Sequence, residues 1–139
     1  MQGVADDLRA RPADEPLTEA IAGAMVTRFT PESVADDGHP RSRQWVDGIR
    51  LMLTEPEVQG EYLRANMLVQ RELAKAIAGR TGTDVLDDMY PNLVAAATGA
   101  ATTVAMEHWL RADPTVAIGP LLREVLDQLW AGLPTPPKR

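Results

Sequence analysis

Apolar residues return every three or four positions along most of this chain, and prolines and glycines divide the pattern into helical segments. Val4 to Ala10 is a short acidic segment stopped by Arg11-Pro12, and it reads as the end of something longer. Asp14-Glu15-Pro16 then supplies acids and a first-turn proline, after which Leu17, Ala20, Ile21, Ala24 and Met25 predict a helix to about Phe29. Thr30-Pro31 closes it, and the polar stretch through Asp36, Asp37, Gly38, His39 and Pro40 reads as a loop. From Arg41, the apolar positions Trp45, Ile49, Met52 and Leu53 predict a third helix ending at Thr54-Glu55-Pro56. A fourth carries Val58, Tyr62, Ala65, Val69, Leu73 and Ile77 on one stripe, widened by Leu63, Met67 and Leu68 and ended by Gly79 and Gly82. So broad an arc predicts a central helix covered on more than one side.

After a short approach at Asp84 to Met89, an alanine-rich helix runs from Tyr90-Pro91 to about Ala112 and stops at Asp113-Pro114. A leucine-rich helix follows from about Pro120, with Leu121, Leu122, Val125, Leu126, Leu129 and Trp130 apolar, Gly132 as its cap, and residues 134–139 as an expected disordered tail. Ala96, Gly99, Ala100 and Thr103 leave little side chain between backbones, so Tyr90 to Leu133 reads as a helix-pairing module.

At 139 residues the chain fits one domain, here residues 1–133. With 45% hydrophobic but only 4% aromatic residues, its composition favours helices over strands, so an all-α, antiparallel bundle of about six helices is expected. The absence of cysteine removes disulfides and thiolate metal sites. No signal-peptide pattern and no apolar run of roughly 18 residues is present, so a cytoplasmic protein without membrane contact is expected. A net charge of −6, a pI near 4.8 and arginines dispersed among acids argue against a nucleic-acid surface.

Candidate chemistry is sparse. His39 and His108 are the only near-neutral bases, and Glu107 and His108 are adjacent, so on a helix they point about 100° apart and cannot form a metal pair. No catalytic residue, metal site or cofactor is assigned. His108 shares a stripe with Ala101, Val104 and Ala105 and reads best as a histidine at a helix-helix seam. Tyr62, Asn66 and Gln70 form a polar ladder at four-residue spacing, for which inward and surface placement are both open. Thr98 and Thr102 sit similarly beside Met106 and Trp109, where bonding to their own backbone is the structural alternative. Trp45, Met52, Met67 and Met106 suit either ordinary core packing or the adaptable wall of an apolar pocket.

The order of segments, LRARPADEPLTEAIAGAM, a loop, two helices, AAATGAATTVAMEHWLRADP and LLREVLDQLWAGL, resembles the C-terminal regulatory domain of the tetracycline-repressor (TetR) family of bacterial transcription regulators. The likeness in layout covers about Leu8 to Leu133, and Trp109 with Asp113-Pro114 and the leucine helix ending Ala131-Gly132-Leu133 is its most specific part. The resemblance implies that the last two helices pair with their copies in a homodimer and that the earlier helices enclose a pocket for a small apolar effector. The pocket wall is then expected at Trp45, Ile49, Met52, Tyr62, Asn66, Met67, Gln70, Thr98, Thr102 and Met106. The dimer seam is expected at Ala100, Val104, His108, Leu121, Leu122, Val125 and Leu129. The family's helix-turn-helix reader has no counterpart before Val4, so direct DNA binding by this chain is not expected. The alternative is a reader-less interaction protein that forms mixed dimers with a full-length regulator.

Overall fold

A computed structural model of the chain describes residues 3–29, 43–112 and 116–138, with side chains from 46 in the second stretch. Among the described residues every regular element is a helix: α1 (Val4–Arg9), α2 (Leu17–Phe29), α3 (Arg43–Thr54), α4 (Pro56–Thr81), α5 (Tyr90–Ala112) and α6 (Gly119–Trp130). No helix among them is long and apolar enough to cross a membrane. The expected stops at Thr30-Pro31 and Asp113-Pro114, and the loop around His39, lie outside the described residues.

Two apolar clusters hold the helices together. The first joins α1 (Leu8), α2 (Ile21, Met25), the carboxy-terminal half of α4 (Leu73, Ile77), the amino-terminal half of α5 (Val94, Ala95) and Leu126 of α6. The second joins Val46 and Ile49 of α3 to Ala105, Met106 and Trp109 of α5 and to Ile118 and Leu122 at the start of α6. Phe29 and Val125 pack against both. Alanines dominate the first cluster, so backbones approach closely there. The second is filled by the indole of Trp109, whose Nε1 donates to the Val116 carbonyl at 2.8 Å.

Local chemistry accounts for the helix ends. Pro56 and Pro120 occupy first-turn positions, where a missing N–H costs nothing. α4 runs through Gly79, the first of the two glycines expected to end it, because Ala76, Ile77 and Ala78 are still buried and Arg80 anchors the next turn. It stops at Gly82, whose φ of +70° is left-handed and open to glycine without strain. In the turn that follows, the Asp84 carboxylate accepts the Leu86 and Asp87 amides at 2.8 and 3.0 Å. These bonds, the Asp87 amide first, hold it below the usual carboxylate range. Residues 134–138 carry no helix.

α1 is only six residues long, and its position depends on a tie to α4. Arg80 Nη1 donates to the carbonyls of Leu8 (3.4 Å) and Arg11 (3.2 Å), and Nη2 to those of Pro12 (2.7 Å) and Glu15 (3.1 Å). Arg11 closes the same turn by a two-bond pair with Glu15, at 2.5 and 2.8 Å. That hydrogen bond from Arg11, chiefly, holds the Glu15 carboxyl below its ordinary range.

The broad apolar arc of α4 is only partly covered. Its second half is buried, but Leu63, Met67, Leu68 and Val69 on the first half are 43–61% exposed, so the expectation of a helix covered on several sides holds for the second half alone. The first half packs against α3 and α5, and two neighbours do not enclose a helix.

Candidate functional site

The antiparallel seam between α4 and α5 gathers the polar groups of the interior. Tyr62 and Gln70 of the ladder both reach α5, with the half-buried Asn66 between them. Thr103 donates its hydroxyl to the Gly99 carbonyl at 3.2 Å, so at the 3.1 Å contact between Tyr62 and Thr103 the phenol is the donor. One turn along, the Gln70 amide lies over Gly99, where an added Cβ would come within 2.6 Å of Nε2. This glycine marks a close approach between the two helices. Thr98 and Thr102, 0% and 6% exposed, donate to the carbonyls of Val94 and Thr98, each at 2.8 Å. Their hydroxyl protons are therefore used within the helix, and only acceptor lone pairs remain for anything else.

The apolar side of this seam is the second cluster. Ile49 and Met106 are buried in it, and Met52 and Tyr62 pack against it, so four of the expected wall residues meet. Met67 does not join them: at 55% exposure it stands on the open flank of α4, about 140° around the helix from Tyr62. The side chain of Trp45 lies outside the described residues. Thr103 was legible only as a small residue, and its hydroxyl contact with Tyr62 depends on the register between α4 and α5, which periodicity does not carry.

α5 turns its other face outward. Ala100, Val104 and His108 are exposed there, whereas Ala101 and Ala105, expected on the His108 stripe, are buried in the first and second clusters. At 100° per residue Ala101 and Ala105 lie further round the helix toward its inward side, with Ala101 only about 20° from His108, so the edge between the outward and inward sides of α5 falls between Ala101 and His108. On α6, Leu121, Val125 and Leu129 are half-buried. Leu122 is 0% exposed and belongs to the chain's own core, because its neighbours Ile118 and Leu126 lie on the same inward stripe. It is removed from the seam.

Between these outer faces lies a groove of about 220 Å³, floored by Val104, Ala105, Leu121 and Val125 and edged by His108, Glu124 and Gln128. Glu124 and Gln128 were not anticipated, since nothing distinguishes them in sequence from any solvated helix face. Among the described residues no group of three His, Asp or Glu side chains is placed to hold a metal ion.

Residues 15–134 match the family model described as the MftR C-terminal domain. The chain is also 32% identical over 130 residues to the HTH-type transcriptional regulator TcmR of Streptomyces glaucescens, a match covering 88% of this chain and 55% of that protein. The chain thus spans about half the length of the curated relative it matches.

Proposed function

Since the chain belongs to the TetR family of transcription regulators, as a C-terminal domain of the MftR type, we propose that it binds an apolar small molecule between α3, α4 and α5 and pairs with a second copy through α5 and α6. The observation that carries this reading is the division of α5 into two working faces. Thr98, Thr102 and Met106 point into the bundle, while Ala100, Val104 and His108 leave it. A ligand against the inner face would be held by Ile49, Met52 and Met106 and oriented by Tyr62, Asn66 and Gln70. By favouring one position of α5 it would bias the pairing face and, through α1, whatever is attached before it.

In this reading DNA is contacted by a helix-turn-helix reader, on the same chain or on a partner, rather than by the acidic surface described above. The working location is the cytoplasm, and no step of the proposal requires catalysis.

A thermal-melt screen against flat apolar compounds bearing one hydroxyl or carbonyl tests the inner face. A ligand at 100 times its Kd stabilises by about 2.7 kcal/mol, a shift of several degrees, and Gln70→Ala should reduce that shift. No shift with any compound up to its solubility limit would count against effector binding. Light scattering tests the outer face, and a mass of one chain at micromolar concentration would count against pairing.

A further inference from the structure

Hydrogen-bonding capacity in the seam between α4 and α5 is lopsided. Thr98 and Thr102 have spent their hydroxyl protons on the Val94 and Thr98 carbonyls, and Thr103 has spent its own on Gly99. Tyr62 has given its proton to Thr103. The hydroxyl groups of this seam therefore present oxygen lone pairs and no free proton. Its remaining donors are the side-chain amides of Asn66 and Gln70, which are half-buried, bond no other described residue, and each carry an acceptor oxygen as well.

The distribution of charge points the same way. On α4 the cations Arg64, Arg71 and Lys75 are exposed and lie about 140–180° around the helix from Tyr62, and Arg64 and Lys75 are paired with Glu61 and Glu72. Arg111 of α5 is exposed about 180° around from Thr102, and Arg50 of α3 is exposed as well. The half-buried charged residue of α5 is an acid, Glu107, one turn beyond Thr103. Among the described side chains, none of the cations of these three helices that flank the polar ladder turns toward it.

We propose that this seam selects an uncharged apolar molecule through a hydroxyl group, which donates to the Thr102 oxygen and accepts from the Gln70 or Asn66 amide. This rests on the effector reading above and adds the chemical class of the effector. A hydroxyl supplies the proton that the seam lacks and takes the one that the seam can give. A ketone or an ether only accepts, so the threonine oxygen would stay without a donor in a buried site. A carboxylate would be desolvated with no cation to pair it, and its charge has the same sign as that of Glu107. A protonated amine donates, but its charge is desolvated among neutral groups. Thr102 is 6% exposed, so entry turns aside Met106, one turn away, and Met52, packed against the same cluster. Unbranched thioether chains make that adjustment readily.

A series on one ring tests this at pH 7: 2-naphthol, 2-methoxynaphthalene, 2-naphthoate and 2-naphthylmethylamine, each titrated against the whole chain by melting shift and calorimetry. The naphthol should bind about fivefold more tightly than the ether, the worth of one net hydrogen bond, and the two charged members should bind most weakly. Thr102→Val keeps the shape and deletes the acceptor, and because that hydroxyl bonds only within its own helix the fold should survive the change. It should bring the naphthol down to the level of the ether and leave the ether unchanged, whereas Thr102→Ser should keep the preference. An ether that binds as tightly as the naphthol, a carboxylate or amine that binds best, or a preference that survives Thr102→Val would overturn the proposal. If none of the compounds shifts the melting temperature up to its solubility limit, the effector reading falls and this inference with it; binding with a different ranking overturns only the class assigned here.

Discussion

Replacing Arg80 by methionine keeps the aliphatic stem and deletes the guanidinium that joins α1 and the following turn to α4. Four carbonyls lose a donor, but Leu8 O still accepts the Arg11 amide at 3.2 Å and Pro12 O the Glu15 amide at 3.1 Å. The carbonyls of Arg11 and Glu15 depend more heavily on Arg80. A hydrogen bond from a charged donor contributes about 1.5–3 kcal/mol, and partial exposure puts these at the lower end, so the loss should be about 3 kcal/mol rather than four full bonds. With a urea m value near 2 kcal/mol/M, the unfolding midpoint should fall by about 1.5 M at fixed protein concentration. Arg80→Lys should recover less than half, because one ammonium cannot fork to carbonyls spread over eight residues of chain. A midpoint change under about 0.3 M for methionine, or full recovery with lysine, would refute the reasoning.

Three further outcomes follow from the geometry. Leu122→Ala should cost about 2–5 kcal/mol of stability, whereas Val104→Ala should leave the isolated fold within about 0.5 kcal/mol and act on association, read by denaturant melts and light scattering together. Gly99→Ala sets a helix-propensity gain of about 1 kcal/mol against displacement of the flexible Gln70 amide; net stability should change little, while any ligand response that uses Gln70 should fall, as melts with and without ligand would report. The hydrogen bond from Arg11 depresses the folded pKa of Glu15, so its contribution is complete above the unfolded glutamate value of about 4.3 and fades as pH falls through the folded value. Glu15→Gln should therefore flatten the acid limb of a stability-versus-pH curve, and an unchanged limb would exclude the pair as a contributor.

Periodicity located every helix among the described residues because prolines and glycines punctuate this chain at most element boundaries. It left the placement of Thr98 and Thr102 open, because threonines on an alanine-rich helix carry little apolar contrast; their inward position beside Met106 was an expectation of the family resemblance, and all three are buried. It failed where the answer depends on neighbouring helices. Met67 and Leu122 are equally apolar by composition, yet one lies on an open flank and the other in the core, and only the packing partners separate them. The tie at Arg80 was illegible for a related reason: its acceptors are backbone carbonyls, which have no signature in the sequence. Likewise, the broad apolar arc of α4 reads the same whether it faces protein or solvent.

That use of carbonyls has an evolutionary consequence. Arg80 grips the path of the chain from Leu8 to Glu15 and does not contact the side chains of Ala10, Pro12, Ala13 or Asp14 through its hydrogen bonds. Those positions are free to drift so long as the turn keeps its shape, while the arginine that reads the shape is not. The joint between α1 and α4 can thus remain mechanically constant across sequences that share almost no identity in the turn, with the whole constraint concentrated on one residue about 70 positions away.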